Sequence, residues 1–161
     1  MKKASLLLII LFTTISSFAQ IAGDSIPASK GPVNDFEQIY TKAEVKTLDS
    51  LISTFKKKTG YEIAIITVDV SLTADSSFDE YIKAVGNAWG VVKEGKNKGI
   101  MIGISSQFGS IIIVNGDGVT AYLSDDATKL IIDTIFIPNF TAGNYYKGTK
   151  EGLLEIMGKL K

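Results

Sequence analysis

The spacing of hydrophobic and polar positions changes several times along the chain, and each change predicts an element. Thr41-Lys42-Ala43-Glu44 has the form of a capping box, and Val45, Leu48, Leu51, Ile52 and Phe55 then recur at helical spacing up to Lys58, with Gly60 placed to stop the helix. Residues 61–68 (YEIAIITV) are almost unbroken apolar, the pattern of a strand buried on both faces. After a loop from Asp69 to Ser77, a second amphipathic helix is marked by Phe78, Tyr81, Ile82, Val85 and Trp89 and closed by Gly90. A charged turn (KEGKNK, 93–98) leads to two β-branched runs, 99–104 and 110–114, separated by so few residues that they must form an antiparallel hairpin. Ser124 or Asp125 can cap a helix through Phe136, Pro138 is expected to break it, and residues 145–160 form a last helix. Strand, helix, strand gives a parallel pair by the right-handed crossover rule. The predicted fold is α/β, a three-layer α/β/α sandwich on a small mixed sheet made of a parallel pair plus an antiparallel hairpin.

The ends of the chain read differently. Met1-Lys2-Lys3, an apolar run from Ala4 to Ile15 and small residues at Ser17 and Ala19 form a secretory signal, residues 1–19, cleaved before Gln20. The run is shorter than the ~20 residues of a spanning helix and is diluted by Thr13 and Thr14. No later segment could cross a bilayer, so a periplasmic or secreted location is expected. Residues 20–32 read as a flexible linker, and the ordered domain covers 33–161.

Composition narrows the chemistry. The chain has no cysteine, so an exported domain must hold together on its core alone. It has no histidine either, which removes Ser-His-Asp and Cys-His nucleophilic catalysis and imidazole-based zinc sites. Lys and Arg number 17, as do Asp and Glu. Losing the two leader lysines leaves a slight acidic excess that gives no reason to expect a nucleic-acid partner.

Chemistry concentrates after the second β-branched run, where Asn115-Gly-Asp-Gly118 is followed by Ser124-Asp125-Asp126. If the strands at 61–68 and 99–104 are parallel, the turn before Gly99 and the loop after Val114 lie at one end of the sheet, so Asn97, Asp117, Asp125 and Asp126 can converge. Asn34 and Asp35 could join them, because the stretch from them to Thr41 spans up to ~20 Å at about 3.3 Å per residue. Hard oxygen ligands on loops suit Ca²⁺, or Mg²⁺, better than softer metals. The loop is not an EF-hand, since Val119 and Thr120 occupy positions where a ligand and the glycine belong. Asp69-Val-Ser-Leu-Thr73 after a strand resembles the aspartyl-phosphate motif of haloacid-dehalogenase-type phosphatases, but Ser71 replaces the second aspartate that acts there as general acid.

A series of short motifs resembles the TPM domain: Val33-Asn34-Asp35, Trp89-Gly90, Asn97-Lys98-Gly99-Ile100, Gly116-x-Gly118, Leu123-Ser124-Asp125, Ile137-Pro138-Asn139-Phe140 and Gly143-Asn144-Tyr145. The resemblance runs from about Gly31 to Lys161. It implies an extracytoplasmic α/β/α domain, with divalent-metal binding, acid phosphatase activity or upkeep of membrane complexes among the roles found in that family. Family members often carry a glutamate shortly after the Gly-x-Gly pair, where this chain has Val119-Thr120. The expectation is therefore a Ca²⁺-binding domain serving envelope proteins, through Asp35, Asp117, Asp125, Asp126, Asn34 and Asn97. The alternatives are a metal-assisted phosphomonoesterase and a metal-independent interaction domain.

Overall fold

The computed structural model describes residues 26–93, 95 and 98–160. The expected leader, the first part of the linker and Asn97 lie outside the described residues. A four-stranded sheet runs β1 (Val33–Asp35), β2 (Glu62–Thr67), β3 (Gly99–Ser105), β4 (Ser110–Asn115), in that spatial order. The β1–β2 and β2–β3 pairs are parallel and β3–β4 is antiparallel. The predicted parallel pair is thus a parallel trio. β1 escaped notice because three residues reading Val-Asn-Asp carry no alternation; its pairing, with Asn34 opposite Ile66 and Asp35 opposite Thr67, is a tertiary fact.

Alternate residues of the central strands feed two cores. Ile63, Ile65, Ile100, Ile102 and Ile104 pack with α1 (Lys42–Thr59) and α6 (Tyr145–Lys159), while Ala64, Ile66 and Met101 pack with α2 (Phe78–Ala88). This is the expected three-layer sandwich, and the unbroken apolar reading of β2 follows from its burial on both faces. Across the first core the buried Tyr40 hydroxyl shares a 2.8 Å hydrogen bond with Thr149. Burial pushes the phenol well above its ordinary pKa, with the Thr149 contact pulling the other way. No helix of the described residues is long and apolar enough to cross a membrane.

The α1 start is the capping box read from the sequence. Glu44 N–H donates to Thr41 Oγ1 at 3.3 Å, Thr41 N–H donates to Glu44 Oε2 at 2.7 Å, and Gly60 ends the helix in the left-handed region at φ 77°. Thr41→Ala is expected to cost about 1 kcal/mol, read as a lower urea midpoint with unchanged slope.

Three local readings need correction. The segment from α4 (Asp125–Ile131) to α5 (Ile137–Thr141) stays helical through Pro138, because a π-helical stretch, Ile132–Phe136, precedes it. Proline in an α-helix loses its N–H bond and crowds the carbonyl four residues back; a wider turn at that point absorbs both effects, and the Asn139 amide donates to the Ile135 carbonyl at 2.9 Å. The acidic loop contains a helical turn, α3 (Asp117–Thr120). Residues 26–32, read as linker, are held: Trp89 Nε1–H donates to the Pro27 carbonyl, and the Asn34 amide donates to that of Gly31, each at 2.8 Å.

Candidate functional site

Open α/β sheets ordinarily bind ligands beyond the carboxyl ends of their parallel strands. In this chain two of its own acids fill that end. Asp35, last residue of β1, accepts from Ile39 N–H (3.1 Å), Tyr40 N–H (2.9 Å) and the Thr67 hydroxyl (2.7 Å). Glu37 reaches the turn after β3 and accepts from Ser106 N–H at 2.9 Å, Gln107 N–H at 3.2 Å and the Ser105 hydroxyl at 3.3 Å. Its own N–H donates to Thr67 Oγ1 at 2.9 Å. Asp69 closes a local turn, accepting from Ser71 N–H at 2.7 Å, so the phosphatase-like motif is a strand-end turn. Glu37 was missing from the sequence reading, since its partners stand nearly seventy residues away and nothing local marks it.

The opposite end is built from different parts. β3 begins at Gly99, whose carbonyl accepts from Gly116 N–H at 2.8 Å, and that bond sets the acidic loop against the start of β3. Asp117 opens α3; Ser124 is the N-cap of α4, accepting from Ala127 N–H at 3.2 Å, and Asp125 and Asp126 follow in the first turn. In that turn two carboxylates also complement the helix dipole. All three aspartates are exposed, and no described residue gives their carboxylates a hydrogen bond or ion pair. Beneath them the Asn115 amide donates to Thr128 Oγ1 at 2.8 Å and to the Leu123 carbonyl at 3.3 Å. Its buried Oδ1 has no partner among the described residues. Beside Asp117 lies a pocket of about 320 Å³ lined also by Lys83, Asn87, Lys93 and Gly116.

The register decides which expected residues meet. Asp35 is level with Thr67 and Ile104, whereas Asn115 is level with Ile100 and on the far side of the sheet. That separates Asp35 from the start of the acidic loop by about 13 Å along the strands and about 14 Å across three strand spacings. Asn34 is buried between Lys30 N–H, which donates to its Oδ1 at 2.7 Å, and the carbonyl of Gly31, to which its amide donates at 2.8 Å. Asn34 and Asp35 therefore do not join Asp117, Asp125 and Asp126: β1 pairs forward along β2 instead of running back along α1. Among the described residues no three acids come together as a metal cage. The donor chemistry at the acidic end suits a hard cation, but the set is short and needs main-chain oxygen and water to complete a shell.

Residues 33–159 match the family model of the TPM domain. The chain belongs to the TPM domain family. Among curated proteins none matches it. The TPM domain here is similar to the solution NMR structure of the N-terminal domain of a P. gingivalis protein, with TM-score 0.74 and 24% identity over 86% of this chain and 85% of that one. It is similar also to the BA42 protein of the psychrophilic bacterium Bizionia argentinensis (TM-score 0.62, 18% identity, 78% and 83% covered). The N-terminal domain of the cg2496 protein from Corynebacterium glutamicum follows at TM-score 0.57 and 9% identity, with 85% and 84% covered. At these identities the likeness is one of fold, so what this TPM domain does must be argued from its own residues.

Proposed function

We propose that this TPM domain is an extracytoplasmic divalent-cation module, with Ca²⁺ preferred, that takes the ion at its acidic end through Asp117 together with Asp125 or Asp126. One contrast carries the reading: the carboxylates of Asp35, Glu37 and Asp69 are spent on the chain's own donors, while those of Asp117, Asp125 and Asp126 are left to the solvent side. Ca²⁺ tolerates a shell of main-chain carbonyls and water around few carboxylates, whereas Mg²⁺ demands stricter octahedral geometry. A site so lightly built belongs in the ~10⁻⁴–10⁻³ M range of extracellular modules. In that range it would be filled outside the cell, where it would serve contacts with envelope proteins.

Thermal melts of the chain from Gln20 onward test this. With 10 mM Ca²⁺ and a dissociation constant of about 1 mM, native-state binding stabilises by about 1.4 kcal/mol. The melting temperature should rise by a few degrees over the chelator control, less so with Mg²⁺, and the rise should vanish in Asp117→Ala without loss of fold. No rise at 10 mM Ca²⁺ would remove the cation reading and leave a metal-independent interaction domain.

The pocket beside Asp117 supports a second reading, phosphomonoester hydrolysis, because Lys83, Lys93 and Asn87 could hold a phosphate next to a cation. A bound ion would supply charge neutralisation there. Turnover of p-nitrophenyl phosphate that needs Ca²⁺ or Mg²⁺ and falls at least tenfold in Lys83→Ala would establish it; metal-independent or absent turnover would end it.

A further inference from the structure

The sheet has an edge strand that the proposed cation site does not use. In a parallel pair, successive residues direct their main-chain groups alternately to the two sides. Ile65 N–H donates to the Pro32 carbonyl, and Val33 lies opposite Ile65, so Asn34 addresses β2 while Val33 and Asp35 present their main-chain groups outward. The chain itself caps one of these: Val33 N–H donates to Asp49 Oδ1 at 2.9 Å. The Val33 carbonyl and the Asp35 N–H make no hydrogen bond to another described residue, although Val33 as a whole is buried.

Beside this edge runs a groove of about 620 Å³, between β1 and the first half of α1. Phe36, packed against the α2-side core, and Val45, packed against the α1-side core, line it, and Lys30, Lys42 and Lys46 supply positive charge. Lys42 and Lys46 are exposed, stand one helical turn apart, and pair with no acid among the described residues. The Lys30 ammonium lies 5.5 Å above the Phe36 ring. The groove's two carboxylates are engaged, Asp35 by three donors and Asp49 by Val33. Around the groove stand two main-chain groups of β1 without a hydrogen-bond partner among the described residues, the apolar side chains of Phe36 and Val45, and three cations.

We propose that this groove docks an acidic, extended segment of a partner protein, which adds beside β1 as a fifth strand. Main-chain pairing to Val33 and Asp35 would supply the register, successive side chains would reach Phe36 on one face and Val45 on the other, and acidic residues would meet the lysines. The same lysines repel a second copy of this basic edge, which keeps the sheet from extending with itself. The site is independent of the acidic end, so either can fail without the other.

The test uses the ¹⁵N-labelled protein and three N-acetylated hexapeptides: alternating glutamate and valine, alternating lysine and valine, and the first peptide N-methylated at alternate residues. The acidic peptide should shift amides 33–36, slow exchange of the Asp35 N–H severalfold, and bind more weakly as salt is raised. The lysine peptide should not bind, and the N-methylated one should lose at least tenfold. The double variant Lys42→Glu, Lys46→Glu lies on an exposed helix face; it should keep its melting temperature and lose at least tenfold in affinity. Asp49→Asn, which removes a charge while keeping an acceptor for Val33, should bind the acidic peptide more tightly. The proposal is overturned by no shift at millimolar acidic peptide, by binding that ignores the double variant, or by an N-methylated peptide that binds as well as its parent.

Discussion

Gly99→Ala is expected to destabilise the protein by about 3 kcal/mol or more, a large share of the 5–15 kcal/mol that holds a domain of this size. A Cβ on Gly99 would lie 1.6 Å from the Val91 carbonyl oxygen and 2.6 Å from its carbon. Overpacking a core by a methyl group costs about 1–3 kcal/mol when side chains can shift. Here the obstacle is main chain and cannot rotate away. Val91 is buried and its N–H donates to the Gly86 carbonyl at 2.9 Å, so it has little room to retreat. Moving β3 instead would strain the Gly116 N–H bond to Gly99 and the Glu62 N–H bond to Lys98, each 2.8 Å. The urea midpoint should fall sharply, and the amides of Gly116 and Asp117 should shift most, because the acidic loop is hung from Gly99. A variant that unfolds at the parent's midpoint would show that the strand and the 91–92 turn are not in such close contact.

Asp35→Ala should cost about 3 kcal/mol, the second large effect. Three donors lose one carboxylate together, and hydrogen bonds to a charged group are worth about 1.5–3 kcal/mol each, with partial exposure and water reducing the sum. The turn those donors belong to contains Gln38 at φ 57°, a left-handed conformation that a non-glycine residue holds only when its surroundings impose it. Removing Asp35 should release that turn and, through Thr67, loosen β1 from β2. Asp35→Asn, which keeps one accepting oxygen, should recover part of the loss. In either variant the Ca²⁺-induced rise in melting temperature should persist. If Asp35→Asn abolished that rise without lowering stability, Asp35 would be a cation ligand after all.

These two residues show where local reading stops. Helices α1 and α2 were legible because each carries a repeated apolar pattern with a glycine at its end, and strands β2 to β4 because each is an apolar or β-branched run bounded by turn residues. The acidic loop was legible as a concentration of carboxylates. Its partition from Asp35 was not, because a carboxylate that holds a turn and one that faces solvent look alike in a list of residues. The same holds for Pro138, which signals a helix end by itself and is tolerated only because the preceding turn widens.

By itself the sequence determined the family, the three-layer class, the absence of histidine and cysteine chemistry, and the end of the sheet at which Asp117, Asp125 and Asp126 stand. Each depends on composition, on the order of short motifs along the chain, or on the periodicity of single elements joined by the crossover and hairpin rules. Only the tertiary structure decided that β1 joins the sheet, that Asp35 and Glu37 are bonded in at its carboxyl end, and that a lysine-bordered groove lies between β1 and α1. Those outcomes rest on hydrogen bonds between segments about thirty to seventy residues apart, and such partners are chosen by the packing of the whole sheet.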